Sequence, residues 1–261
     1  MERKAGGNMG TKEKRKVALV TGGSTGIGRA SALAFAREGA MVAIGDVAID
    51  TGEETARMVK EAGGKAIFLP CDVSKVAEVQ AMINKTIEVY GRLDWAFNNA
   101  GVEGAQLPIV DYPQEICNRV FSVDLMGVWL CMKYEIPQML KQGGGVIVNT
   151  ASAAGLVGVP GDSPYSAAKH GVVGMTKAVA IEYGKSNIRV NAICPGAIKT
   201  QMFNRVLSRD PEGTKKLLET APLARFGLPD EVASVVVWLC SDAASFITGH
   251  ALAVDGGFTA Q

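Results

Sequence analysis

The sequence predicts an α/β fold: one domain built on a doubly wound parallel sheet of about seven strands, with helices on both faces. Three observations predict it. Short apolar, β-branched runs alternate with helical periods from end to end. A glycine-rich turn follows the first apolar run and opens the first helical one. No Pro/Ser-rich linker and no short internal repeat divides the 261 residues, and that length gives one large domain a substantial core.

The elements follow in order. Val17–Thr21 is the first strand and Gly28–Glu38 an Ala-rich helix closed by Gly39. Met41–Asp46 is the second strand, Thr51–Glu61 the second helix, and Gly63-Gly64 its stop. Lys65–Pro70 is strand three. Ser74 is the expected cap of a helix running to Tyr90, with Gly91 as its end. Leu93–Asn98 is strand four, a long helix covers about 113–141, and Val146–Thr150 is strand five. Pro164 opens the next helix in the first-turn position that proline favours. Ile188–Cys194, Pro229–Ser241 and Ala251–Val254 supply a strand, a helix and a last strand. Strands separated by helices imply right-handed crossovers and a sheet covered on both sides. Residues 16–261 form the expected domain, preceded by a flexible leader over 1–15. The stretch 199–222 mixes Met202, Phe203 and Leu207 with charges, Pro211 and Gly213, and is the expected lid.

Charge and cysteine usage exclude several function classes. Lys plus Arg is 27 against 26 for Asp plus Glu, so no basic footprint for nucleic acid exists. The five cysteines (71, 117, 131, 194, 240) show no CxxC spacing, and only His170 and His250 add imidazoles. No metal site and no disulfide framework is expected, and a reducing cytoplasm fits. No apolar run reaches the ~18–20 residues that span a membrane. Met1 to Lys16 carries six basic residues but no apolar h-region, so it is not a signal peptide.

Two motifs carry most of the chemistry. Thr21-Gly22-Gly23-Ser24-Thr25-Gly26-Ile27-Gly28 joins strand to helix. Its glycines let the backbone approach a pyrophosphate, and the helix N-terminus offers free N–H groups and positive dipole. Asp46 ends strand two, 18 residues beyond Gly28, where a carboxylate accepts hydrogen bonds from adenosine ribose hydroxyls and repels a 2′-phosphate. No Lys or Arg lies within 21–28 or directly after Asp46 through Asp50, which favours NAD over NADP. The second motif is Tyr165-Ser-Ala-Ala-Lys169. Four residues on a helix place phenol and ammonium on one face. A cation at that distance favours the phenolate, so Lys169 is expected to bring Tyr165 down from its usual ~10.

Six motifs together resemble a classical short-chain dehydrogenase/reductase from about residue 15 to the end. They are TGGSTGIG at 21–28, Cys71-Asp72-Val73, Asn98-Asn99-Ala100-Gly101, Ser152, YSAAK at 165–169 and Pro195-Gly196-Ala197-Ile198-Lys199-Thr200. The resemblance implies a Rossmann-type fold and an oxidoreductase that interconverts a secondary alcohol and a ketone with NAD(H). It implies that Ser152 binds the substrate oxygen, Tyr165 transfers its proton, and Lys169 tunes Tyr165 and holds the nicotinamide ribose. Gly22, Ser24, Thr25, Gly26, Ile27 and Gly28 would hold the pyrophosphate. Asp46 and Val47 would meet the adenosine ribose, and Asp72 and Val73 the adenine. Asn99, Ala100 and Gly101 would lie along the adenosine ribose side, with Asn98 bridging neighbouring strands. Pro195, Gly196, Ile198 and Thr200 would flank the carboxamide. A homotetramer paired through the helices beginning near 113 and 164 is implied as well.

One position departs from the family pattern. Val123-Asp124-Leu125-Met126-Gly127 aligns with a stretch that usually reads V-N-L-x-G, whose asparagine is the fourth catalytic residue. The family role works through the main-chain carbonyl, so Asp124 is expected to keep it while standing close to Lys169. The expected substrate walls are Glu103, Ala154, Leu156, Val159, Pro160, Met202 and Phe203. That set is mainly apolar and suits a hydrophobic or cyclic secondary alcohol. Glu103 is expected as a solvated loop carboxylate. An NADPH-dependent 3-oxoacyl-carrier-protein reductase and a non-catalytic NAD(H)-binding protein are the alternatives.

Overall fold

Strand β1 (Val17–Thr21) is buried at all five positions because it lies mid-sheet with helices on both faces, which is why it reads as an unbroken apolar run. The computed structural model describes residues 15–209, 212 and 221–260. The expected leader, apart from Arg15, lies outside the described residues, as do Pro211, Gly213 and the rest of 210–211 and 213–220 in the expected lid.

Seven parallel strands form one sheet in the order β3-β2-β1-β4-β5-β6-β7. The others are β2 (Met41–Asp46), β3 (Lys65–Pro70), β4 (Trp95–Asn98), β5 (Gly145–Thr150), β6 (Ile188–Pro195) and β7 (Ala251–Val254). Chain order reverses between β1 and β4, so a crevice opens beyond their carboxyl ends. Helices α1 (Gly26–Arg37), α2 (Ile49–Glu61) and α8 (Pro229–Cys240) cover one face around Phe35, Ile44, Phe97 and Leu239. Helices α3 (Val76–Tyr90), α5 (Val128–Gln142) and α6 (Ser163–Tyr183) cover the other around Leu19, Met82, Met139 and Ile147.

Four details differ from the sequence expectation. Ser74 does not cap α3: its hydroxyl donates to Asp72 Oδ1 (2.7 Å), and Lys75 precedes the first turn. Strand β4 starts at Trp95, because the Leu93 N–H donates to the Gln142 side chain (3.1 Å) instead of to a neighbouring strand. First turns begin two residues earlier than expected in both α1 and α2. The long helix near 113–141 is not uniform. A short α4 (Gln114–Val120) leads into a π-helical segment, Phe121–Gly127, and only then into α5. The extra residue per turn lets the wider segment carry Asp124 at 0% exposure.

The core between β4, β5, α5 and α6 holds a buried polar chain. Asn98 Nδ2 donates to Asn149 Oδ1 (3.0 Å) and to Glu135 Oε2 (3.1 Å), and Asn149 Nδ2 donates to Thr176 Oγ1 (3.0 Å). Asn98 thus bridges β4 and β5. Burial pushes the Glu135 carboxyl from 4.5 up to about 8, against the opposing hydrogen bond from Asn98. Between those values the folded state holds a proton that the unfolded chain has released. Unfolding free energy therefore falls as pH rises from 4.5 to about 8, and the loss is complete above about 8. Glu135→Gln is expected to flatten this slope and to be the more stable form at pH 9, by a few kcal/mol (~1.4 per pKa unit). Urea unfolding at a series of pH values checks it; parallel wild-type and variant curves contradict it.

Candidate active site

The turn from β1 into α1, the ends of β2, β4, β5 and β6, and the first turn of α6 surround a single cavity of about 710 Å³. Gly22, Thr25, Gly26, Ile27, Asp46, Asn99, Gly101, Asp124, Ser152, Tyr165, Lys169, Pro195, Gly196, Ile198 and Thr200 all line it. Six of the expected site residues are not on its wall. Ser24 and Gly28 shape the turn from behind, Ala100 N–H donates to Thr21 Oγ1 (3.2 Å), and Val47 is exposed beside it. Asp72 Oδ1 accepts from the Ser74 N–H and hydroxyl, and Val73 is buried against Gly127.

The glycine turn is fastened on both sides. Asn99 Nδ2 donates to the Thr21 and Gly22 carbonyls (3.1 and 3.2 Å), and the Asn99 N–H donates to Thr21 Oγ1 (3.0 Å). These bonds tie the ends of β1 and β4 together beneath the cavity. A Cβ at Gly28 would press on the Gly22 carbonyl oxygen, so the close approach of α1 to the turn requires glycine there. Asp46 fastens the other side: Oδ2 accepts from Ser24 N–H and Oδ1 from Ala48 N–H, both at 3.0 Å. Each oxygen keeps a second lone pair. The Thr25 side chain leaves the first turn of α1 uncapped, and that turn holds no acidic residue. Its leading N–H groups have no intrahelical acceptor, so the donors facing the cavity suit a pyrophosphate.

On α6, Tyr165 and Lys169 stand one turn apart, with the ammonium 5.5 Å from the centre of the phenol ring. Lys169 Nζ donates to the Thr150 carbonyl (3.0 Å) and pairs with Asp124 Oδ1 (3.1 Å). The Asp124 carboxylate also accepts from the Val102 N–H (3.2 and 3.3 Å). Burial works against the Lys169 charge, but Asp124 and Tyr165 outweigh it and hold its pKa above the usual lysine value. Burial moves Asp124 above the ordinary carboxylate range despite Lys169. Tyr165 does not follow the sequence expectation. Burial raises its pKa, Asp124 adds to the rise, and the downward pulls of Lys169 and Ser152 leave it above 10. The physical reason is that burial outweighs the lysine's pull, and the carboxylate beside the lysine offsets part of that pull. Ser152 Oγ accepts from the Ala154 N–H (3.1 Å), which leaves its own proton to donate.

The walls beyond these groups are mainly apolar. Ala154, Val159, Met202 and Phe203 contribute as expected, and Phe203 packs edge-on against Phe226 with centroids 4.7 Å apart. Leu156 and Pro160 do not line the cavity; Leu156 turns to the α3–α5–α6 core. Glu103 is not merely solvated. It forms a bidentate pair with Arg205 (2.7 and 3.0 Å) on helix α7 (Gln201–Arg209). Sequence reading missed Gln106, Asp162, Leu223, Phe226 and the stretch 253–258, which also face the cavity. Asp162, three residues before Tyr165, was the one with a positional signal. Among the described residues, no group of His, Cys, Asp or Glu is placed to hold a metal ion, and no helix is long and apolar enough to cross a membrane.

A family model described as enoyl-(acyl carrier protein) reductase matches residues 22–259. The chain belongs to the short-chain dehydrogenase/reductase family. It is 46% identical over 246 residues to a 2,5-dichloro-2,5-cyclohexadiene-1,4-diol dehydrogenase of Sphingobium indicum, covering 94% of this chain and 97% of that protein. The crystal structure of a levodione reductase superposes with a TM-score of 0.91 at 40% identity, covering 94% and 98% of the two chains. An actinorhodin polyketide ketoreductase solved with NADPH gives 0.91 at 35% identity, covering 95% and 98%. The chain is accordingly a short-chain oxidoreductase of the class that interconverts alcohols and ketones.

Asp124 stands where such enzymes usually carry asparagine, and its charge raises the pKa of both Lys169 and Tyr165. Asp124→Asn is expected to change turnover by less than about tenfold, equivalent to ~1.4 kcal/mol of barrier. Removing the charge should also move the rising, acid-side limb of the alcohol-oxidation pH profile, where Tyr165 loses its proton, to lower pH. A limb that stays or moves upward contradicts the assignment.

Proposed function

We propose that this short-chain dehydrogenase/reductase is NAD-dependent and acts on a cyclic secondary alcohol and its ketone. The observation that carries the cofactor preference is Asp46 at the end of β2, lining the cavity with both oxygens fixed by backbone donors. A 2′-phosphate there would meet a carboxylate. Arg29, the first cation after the glycine turn, is committed elsewhere: its guanidinium bonds the Ser24 carbonyl, Thr55 and Glu54. The ketoreductase relative was solved with NADPH, so the fold alone does not dictate NAD and the preference rests on these residues.

The cofactor, when bound, accepts or donates the hydride. Every other task falls to the chain. The first turn of α1 and the glycine turn hold the pyrophosphate. Ser152 donates a hydrogen bond to the substrate oxygen and stabilises charge developing there. Tyr165 takes the hydroxyl proton during oxidation and returns it during reduction. Lys169, held by Thr150 and Asp124, supplies the positive field that the phenolate needs. Pro195, Gly196, Ile198 and Thr200 fix the nicotinamide end, and Asn99 and Gly101 line the adenosine ribose side, with Ala100 held behind them by Thr21. Asp72 and Val73, which lie off the cavity wall, would back the adenine end through the loop after β3.

Ala154, Val159, Met202, Phe203 and Phe226 give an apolar enclosure suited to a ring. Helix α7 acts as the lid, clasped to the body by Arg205 and Glu103. The working form is a cytoplasmic homotetramer. Exposed Met126, Trp129 and Ile181 on the π segment, α5 and α6 support pairing through those helices, and the five free thiols suit a reducing compartment.

Initial rates with cyclohexanol, followed by nicotinamide absorbance, test the reading. NAD is expected to exceed NADP by at least about tenfold in kcat/KM, and Asp46→Ala should narrow the gap by about 1 kcal/mol or more. Tyr165→Phe should lose at least about 100-fold in kcat. Preference for NADP, or a Tyr165→Phe variant that keeps most of its activity, overturns it.

A further inference from the structure

One acidic side chain on the cavity wall neither transfers the proton nor binds the cofactor, although its charge adds to the rise in the Tyr165 pKa. Asp162 directly precedes α6 and is 8% exposed. A residue at this position commonly caps its helix, yet the Asp162 side chain makes no cap hydrogen bond. Its Oδ1 accepts from the Tyr112 hydroxyl (3.2 Å), and that hydroxyl accepts from the Ala105 N–H (2.8 Å). Main-chain bonds fix it further: Asp162 N–H donates to the Val159 carbonyl (3.2 Å), and its own carbonyl accepts from the Ser166 N–H (2.9 Å).

The loop from Gly101 to Tyr112 is fitted closely around this carboxylate. A Cβ at Gly104 would press on both Asp162 Oδ1 and the Tyr112 hydroxyl. Among the described residues nothing donates to Oδ2, although the residue faces the cavity that also holds Ser152 and Tyr165. An immobilised acceptor with an open valence facing a cavity is placed to accept a proton from a donor that enters it. The same cavity has apolar lining at Val159, Met202 and Phe226 and polar lining at Glu103, Gln106 and Arg205.

We propose that Asp162 is a specificity residue: its Oδ2 accepts a hydrogen bond from a second hydroxyl on the ring, so the substrate class is a cyclic diol. This rests on the cyclic-alcohol dehydrogenase reading above. Ser152 and Tyr165 hold the reacting oxygen, and Asp162 holds the other one. The second oxygen is a hydroxyl and not a carbonyl, because an ionised carboxylate accepts and does not donate. Burial, aided by the charge of Asp124 and opposed by the Tyr112 hydrogen bond, raises the Asp162 carboxyl to about 6, which leaves it mainly ionised at neutral pH. A site built to hydrogen-bond a hydroxyl rejects the analogue lacking it far more strongly than an apolar pocket rejects a missing methylene.

The experiment measures kcat/KM for cyclohexane-1,4-diol, cyclohexane-1,2-diol and cyclohexanol, with NAD and with NADP, in wild type and in Asp162→Ala, Asp162→Asn and Tyr112→Phe. Wild type is expected to prefer at least one diol to cyclohexanol by about tenfold or more. The diol-to-cyclohexanol ratio should collapse at least about tenfold in Asp162→Ala and fall part-way in Asp162→Asn, which keeps the volume. Tyr112→Phe removes the anchor but not Oδ2, and should hold the ratio within about threefold. A purely structural Asp162 would depress all substrates alike and leave the ratio unmoved; that result, or a wild type indifferent to the second hydroxyl, overturns the proposal. Absence of turnover on every alcohol with either cofactor overturns the dehydrogenase reading as well, so the two failures are told apart.

Discussion

The buried pair between Lys169 and Asp124 is the constraint around which the cavity is organised. An ammonium at 3% side-chain exposure and a carboxylate at 0% each lose most of their hydration. Removing one partner of such a pair typically costs about 3–5 kcal/mol, because the other charge is left stranded. Four pieces of chain meet to satisfy it: α6 brings Lys169, the π segment brings Asp124, β5 brings the Thr150 carbonyl, and the loop after β4 brings the Val102 N–H. Fixing Lys169 fixes the first turns of α6, and with them Tyr165 and Asp162. The π-helical register before α5 is what turns Asp124 inward to close the arrangement.

The sheet supplies the other half of the site. Reversal of chain order between β1 and β4 opens the crevice, and the Thr21–Asn99 bonds lock its floor. Asp46 then joins the glycine turn to the start of α2 through Ser24 and Ala48. These contacts are made with the chain's own backbone, so the glycine turn is preorganised, which would lower the ordering cost of holding the proposed pyrophosphate. The same economy appears at Ser152, whose Oγ is oriented by the Ala154 N–H before any substrate oxygen arrives.

Much of this was legible in the sequence because it is periodic or local. Apolar runs at strand length, glycine stops and Pro164 located most elements within two residues. TGGSTGIG, Asp46 and YSAAK were readable because their chemistry depends on neighbours close in sequence. The π segment was not legible: one extra residue per turn changes direction without changing composition. Arg205 with Glu103, and Tyr112 with Asp162, lie 102 and 50 residues apart and belong to no motif. The 253–258 stretch reaches the cavity because β7 lies beside β6 at the sheet edge, Leu223 bonds to Gly256 within it, and Phe226 is brought in by the pairing of Gly227 with Ala197 and Ile198. Tyr165 shows a further limit. Four-residue spacing from a lysine announced a lowered pKa, but burial and the carboxylate of Asp124 reverse the sign in the folded chain.

A double-mutant cycle on this pair tests the central claim most directly. Unfolding free energies from urea titration of wild type, Asp124→Asn, Lys169→Met and the double variant give the coupling between the two side chains. A pair that anchors the cavity predicts single losses that exceed additivity, with a coupling of about 1–3 kcal/mol. Losses that add within about 0.5 kcal/mol would show that the two groups do not depend on each other, and would contradict the account.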